Sequence, residues 1–138
     1  MIETLASPPH VAAYRFTGQL TGEDYDACIA DLETRLARFP RIAVLSDLSD
    51  MQGVSLDAVG KDLRYAASKL GEFGRFARAA IVTDKRWLVA ATEFAGHLLP
   101  NTEVRTFAQD ERALALAWAS ELDPHAPSTR RITGTRPR

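Results

Sequence analysis

Cysteine is almost missing from this chain of 138 residues, where Cys28 stands alone. A lone cysteine cannot close an intrachain disulfide, and it leaves a thiolate-ligated zinc site without its ligand set. Long apolar runs are missing too, and no segment approaches the roughly 18 residues of a membrane span. The opening MIETLASPPH lacks the basic and apolar regions of a secretory signal, so a cytoplasmic location is expected. No HExxH, GxSxG, GxGxxG or P-loop pattern occurs. Zinc-protease, serine-hydrolase, dinucleotide and nucleotide-phosphate chemistries therefore have no foothold. The three histidines are scattered: His10 follows two prolines, His97 falls near the end of an expected helix, and His125 lies in the tail. A histidine at a helix C-terminus is explained by the helix dipole. Neither sign of charge dominates, with 17 basic against 18 acidic side chains. The excess is uneven, because residues 124–138 carry four arginines and no acid. Removing those four positive charges from a net charge of −1 leaves a body at −5. An acidic body argues against nucleic acid as the main partner.

What is present is an ordinary globular composition, 46% hydrophobic and 25% charged. It fits one domain over residues 1–123, followed by a basic tail, 124–138, without periodicity. The organising stretch is Arg41–Gly53, RIAVLSDLSDMQG. Ile42-Ala43-Val44-Leu45 reads as a strand buried on both faces. Ser46, Asp47, Ser49 and Asp50 then read as a polar loop before a glycine turn.

The rest follows in order. Met1–Leu5 and His10–Phe16 form a hairpin-like edge, with Gly18 ending the second strand. Thr21 caps a helix carrying Tyr25, Ile29, Leu32 and Leu36 as an apolar stripe, and Pro40 stops it. Cys28 borders that stripe as a small core residue. Ser55 caps a second helix with Leu56, Val59, Leu63, Ala66, Leu70 and Phe73 on one side, and Asp57 in its first turn. Arg75–Val82 is the next buried strand. Asp84 is a candidate cap for a helix from Lys85 to about Leu98. Glu103–Phe107 is the last strand, and Asp110 caps a final helix to Leu122 with Leu114, Ala117 and Trp118 inward. The order is β-β-α-β-α-β-α-β-α, an α/β domain whose sheet is largely parallel from the third strand on.

The segments GQLTGEDYDA, IAVLSDLSDMQGVSLDAVGKDL, RAAIVTDKRWL and EVRTFAQDERALALAW, in this order and spacing, resemble the SpoIIAA-like group of the STAS superfamily (sulphate transporter and anti-sigma-factor antagonist). The resemblance covers roughly Val11–Ala119. It implies a mixed, largely parallel sheet of four to five strands with flanking helices, no cofactor and no catalytic machinery. The same shape is similar to the C-terminal lobe of CRAL-TRIO lipid carriers. One departure stands out. Anti-sigma-factor antagonists carry a phosphorylatable serine in an Asp-Ser-Ser-Gly turn, where this chain has Asp57-Ala58-Val59-Gly60. Ser55 is the nearest remaining hydroxyl. A phosphate there would favour a helix N-terminus electrostatically, while an N-cap role explains the serine more simply.

Asp47 and Asp50 could hold a cation or act as acid and base. Two carboxylates three residues apart match no metal template, and a turn network suits Ser46 and Ser49 better. Neither a metal site nor an enzyme is therefore expected. The expected function is a binding or regulatory module. Its interaction surface is the carboxyl edge of the sheet: Asp47, Ser49, Asp50, Ser55, Asp57, Asp84 and Trp87. The partner would be another protein or a second copy, with the N-terminal strands as the exposed edge of a homodimer. The alternative is a carrier of a lipid or other small apolar molecule, with a groove near Trp87 and Phe94.

Overall fold

The computed structural model describes residues 1–54, 75–86, 89–90 and 102–125. Five strands, Ile2–Thr4 (β1), Val11–Leu20 (β2), Ile42–Val54 (β3), Phe76–Val82 (β4) and Glu103–Phe107 (β5), form one sheet in the order β1-β2-β3-β4-β5. Only β1 runs antiparallel, with Ile2 opposite Phe16. Val11 pairs with Ala43, Leu45 with Ala80 and Ala80 with Arg105 in the parallel part. The Ile42–Leu45 run is thus interior and parallel, flanked on both sides by strands. Among the described residues, no helix is long and apolar enough to cross a membrane.

Alternation along the strands divides the core into two layers. Ala12, Tyr14, Phe16 and Ile42 pack with Cys28, Leu32 and Leu36 of the helix Gly22–Arg38 (α1). Val11, Ala13, Ala43, Leu45, Ala80, Val82 and Phe107 pack with Ala115, Trp118 and Ala119 of the helix Arg112–Ser120 (α2), and with Leu122. Each fully buried Val, Leu or Ile side chain contributes about 1.5–3 kcal/mol of transfer free energy.

α1 begins where the residues predict. The Thr21 hydroxyl accepts the Asp24 N–H at 3.2 Å, and Asp24 Oδ2 accepts the Thr21 N–H at 3.1 Å. Two otherwise unpaired donors are satisfied together. That N–H, outweighing burial, holds the Asp24 carboxyl below its ordinary value. Tyr14 fastens α1 to the sheet, its hydroxyl donating to Asp31 Oδ2 at 2.6 Å while Arg35 Nε donates to the same oxygen at 2.9 Å. At the other end, Arg75 donates to the carbonyls of Leu36, Phe39 and Pro40, covering the exposed acceptors of the last turn.

Four expectations are corrected. β2 does not stop at Gly18 but continues to Leu20, with Gly18 at φ +64° beside a shift in the pairing register. A left-handed glycine lets the strand bulge and go on. Likewise the Ser46–Asp50 cluster is strand, not loop, because β3 pairs with β2 as far as Val54. In α2, Leu114 is 61% exposed and Ala117 also faces solvent, so the inner face is Ala115, Trp118 and Ala119. A short 3-10 turn, Gln109–Glu111, precedes the helix. Glu111, not Asp110, reaches back there to accept the Ala108 N–H at 2.9 Å. The helices expected from Ser55 and over Lys85–Leu98 lie largely outside the described residues, as does 126–138 of the tail.

Candidate functional site at a fork between two strands

A sheet whose strand order never reverses has no switch point of the doubly wound kind. A different opening appears where β3 and β4 part. They pair up to Asp47 and Val82, after which β3 stays with β2 alone, from Thr17/Asp50 to Leu20/Val54. β4 ends at Val82 while β3 runs on to Val54, and polar side chains gather where the two strands cease to pair.

Asp47 sits at the fork and is only 5% exposed. It faces α2, in alternation with Ala43 and Leu45. Its Oδ1 accepts the Ser49 N–H at 3.1 Å, and its Oδ2 accepts from Arg112 Nη1 of α2 at 3.0 Å. Across the fork, Lys85 Nζ donates to the Ser49 carbonyl at 3.4 Å, and the buried Thr83 hydroxyl accepts the Lys85 N–H at 3.1 Å. Asp84 Oδ1 accepts the Gln109 N–H at 2.9 Å, tying β4's end to the turn before α2. The Ser49 hydroxyl oxygen is buried and has no hydrogen-bond partner among the described residues.

On the arm of the fork that β3 forms with β2 beyond Asp47, Asp50 Oδ2 accepts from Arg15 Nη2 of β2, and Arg15 Nη1 reaches Glu3 of β1 at 3.4 Å. The Asp50 hydrogen bond holds the Arg15 guanidinium above its ordinary value. The two aspartates thus serve separate arginines on opposite sides of a bulge. Chemically, the fork combines two aspartate–arginine pairs with two charged side chains, Asp84 and Lys85, that bond to backbone groups. Among the described residues, no group of three His, Cys, Asp or Glu is placed to hold a metal ion.

Beside the fork, on the α2 side, lies a cleft of about 300 Å³ with Ala13 and Leu45 as floor and Leu5, Ala6, Ala113, Leu116 and Arg112 as walls. It is apolar except for the guanidinium that also holds Asp47.

Of the expected surface residues, the structure brings Asp47, Ser49 and Asp84 to the fork and Asp50 to the arm. Asp47 is buried, Ser49 is half-buried, and Asp50 and Asp84 are exposed. Ser55, Asp57, Trp87 and Phe94 lie outside the described residues. Thr83 and Lys85, in the segment that also holds Asp84, join the fork as the strand-end reading implies, whereas Arg112 and Arg15 complete it without having been expected there. Arg15 had a signal, since it follows Val11 and Ala13 at period two in its strand. Arg112, 65 residues from Asp47, had none.

Comparison with known proteins agrees with this architecture. The SpoIIAA-like family model matches residues 11–120. No curated protein matches the sequence. A solved structure similar to it is an uncharacterized protein of the DUF3478 family with a SpoIIAA-like fold from Shewanella loihica PV-4. It is 30% identical, with 86% of this chain and 92% of that one covered and a TM-score of 0.66. A family match over most of the chain, carried on a five-stranded sheet with these pairings, places it plainly: the chain belongs to the SpoIIAA-like family.

Proposed function

We propose that this domain is a non-catalytic binding or regulatory module that meets a protein partner at the fork. One observation carries the reading. The carboxylates of Asp47, Asp50 and Asp84 are each engaged by a guanidinium or a backbone N–H. Groups tied in this way shape a surface, whereas a general acid or base needs a proton-transfer path to a substrate. Asp50 and Asp84 offer exposed charge on that rim, with Lys85 half-exposed between the strand ends. Ser55, Asp57 and Trp87 adjoin it in sequence. A phosphate on Ser55 would add about −1.5 to −2 charges beside it, and phosphopeptide mapping after incubation with lysate and ATP tests that. The test of the surface is an affinity capture with the full chain and its Asp50→Lys/Lys85→Glu variant, with thermal melting as control. Loss of a partner from a variant that melts like the parent supports the fork. A partner retained at full yield refutes it.

The carrier reading rests on the cleft beside Leu45 rather than on Trp87 and Phe94. A Leu45→Trp or Leu116→Trp variant fills that space. Saturable binding of a fluorescent fatty acid that the filled variant loses would favour the carrier, and no binding by the parent would end it.

A further inference from the structure

β5 is the last strand of the sheet, and no described strand lies on its far side. In a parallel ladder the N–H and C=O of one residue face one neighbour, and those of the next residue face the other way. The Phe107 carbonyl accepts the Thr83 N–H at 3.0 Å, next to an unbroken register from Arg78/Glu103 to Val82/Phe107. Glu103, Arg105 and Phe107 therefore direct their backbone groups to β4. Val104 and Thr106 direct theirs outward, as a template for another strand. The opposite edge of the sheet, β1, is three residues long, the short kind that discourages pairing.

The side chains flanking Val104 carry opposite charges on the same face. Glu103 is 62% exposed and meets Arg78 Nε at 3.4 Å. Arg78 also donates to the Trp118 carbonyl at 2.6 Å, so it keeps a partner when Glu103 turns away. Arg105 is exposed, its guanidinium over the rings of Phe107 and Trp118 at 5.0 and 5.3 Å. No carboxylate pairs with it among the described residues.

We propose that β5 pairs antiparallel with β5 of a second copy, about a two-fold axis through Val104. The outward-facing Val104 residues then form the hydrogen-bonded pair on the axis. Glu103 stands opposite the second copy's Arg105, and Arg105 opposite its Glu103. These are non-hydrogen-bonded positions, about 4.5 Å apart at Cα, where side chains approach most closely. One symmetric contact thus yields two cross-strand ion pairs. Charge also selects the register. A slide of two residues sets Glu103 against Glu103, or Arg105 against Arg105, and a slide of one mismatches the backbone donors and acceptors. This contact is distinct from the fork, so variants of the fork leave it intact.

Light scattering or sedimentation of the full chain tests the pairing, with a mass about twice 15.2 kDa expected. Val104→Pro removes an outward N–H and leaves the β4 ladder alone, as proline on an edge strand can. It should give a monomer with unchanged circular dichroism. Glu103→Arg and Arg105→Glu should each weaken the dimer about tenfold by setting like charges opposite. The double swap should restore it. A wild type that stays monomeric up to about 1 mM overturns the proposal. So does a dimer that survives Val104→Pro, or a double swap no tighter than its single parents. Should the proline variant fail to fold, the swap series alone decides.

Discussion

Replacing Arg112 by alanine leaves the Asp47 carboxylate, with its side chain 7% exposed, bonded among the described residues only to the Ser49 N–H. Breaking a fully buried ion pair costs about 3–5 kcal/mol, because a charge is stranded away from water. Arg112 is 46% exposed, however, so water already screens one side of this pair and can enter when the guanidinium leaves. The better yardstick is the loss of one hydrogen bond to a charged group, about 1.5–3 kcal/mol. We expect about 2 kcal/mol for Arg112→Ala. In a domain of this size, that lowers the melting temperature by about 6–10 °C.

The charge on Asp47 is what makes the loss expensive. Asp47→Asn keeps an oxygen to accept the Ser49 N–H but removes the charge that needs a counterion. In that background, Arg112→Ala should cost about 0.5 kcal/mol or less. Urea denaturation of the four proteins, with m-values compared, measures the coupling directly. Equal costs of Arg112→Ala in the two backgrounds would refute the reasoning. Arg112 would then stabilise through its methylene stem along the cleft rather than through its charge.

Stability should also fall at both extremes of pH. Hydrogen bonds from Tyr14 and Arg35, opposed by burial, hold the Asp31 carboxyl below its ordinary 3.8, as the Thr21 N–H does for Asp24. A lowered folded value means stability present above 3.8 and lost as pH falls further, and Asp31→Asn should flatten that acid limb in urea titrations. Burial, with the Asp31 hydrogen bond, raises the Tyr14 hydroxyl above its ordinary 10.0. Its contribution is full below pH 10 and lost as pH rises past it, so Tyr14→Phe should abolish that part of the alkaline loss. Gly18→Ala meets no atom within 4 Å, yet φ is +64°. Its cost should be about 1–2 kcal/mol from the backbone alone, and Gly18→Asn should cost less in the same melt.

The parts of the fold legible in the sequence are those where local chemistry and tertiary packing agree. Thr21 and Asp24 lie three residues apart and need nothing distant to close their reciprocal cap. Ile42–Leu45 is apolar at every position, as an interior parallel strand must be. The hairpin edge was legible because prolines separate two short β-rich runs. The phase of α2 was not, since ALALAWA offers apolar residues all round the helix. Its inward face is set by packing of Ala115, Trp118 and Ala119 on the sheet, and Leu114 is left in solvent.

The fork was misread for a reason that the residues themselves supply. Ser-Asp-Leu-Ser-Asp has turn composition, and β-propensity alone argues against a strand. What continues β3 is alternation. Leu48 packs toward α1 with Val44, while Asp47 and Ser49 fall on the other side. That side is tolerable for an acid only because Arg112 arrives there from a different part of the chain. Beyond it, the register shift before Thr17/Asp50 turns Met51 back toward α1, so strict period two fails as well. A polar run inside a strand is therefore legible only when its counter-charges are. Arg15 was available from the pattern of its own strand, and Arg112 was not. The candidate site lies where the sheet divides, and it is held by contacts whose partners are far apart in the chain.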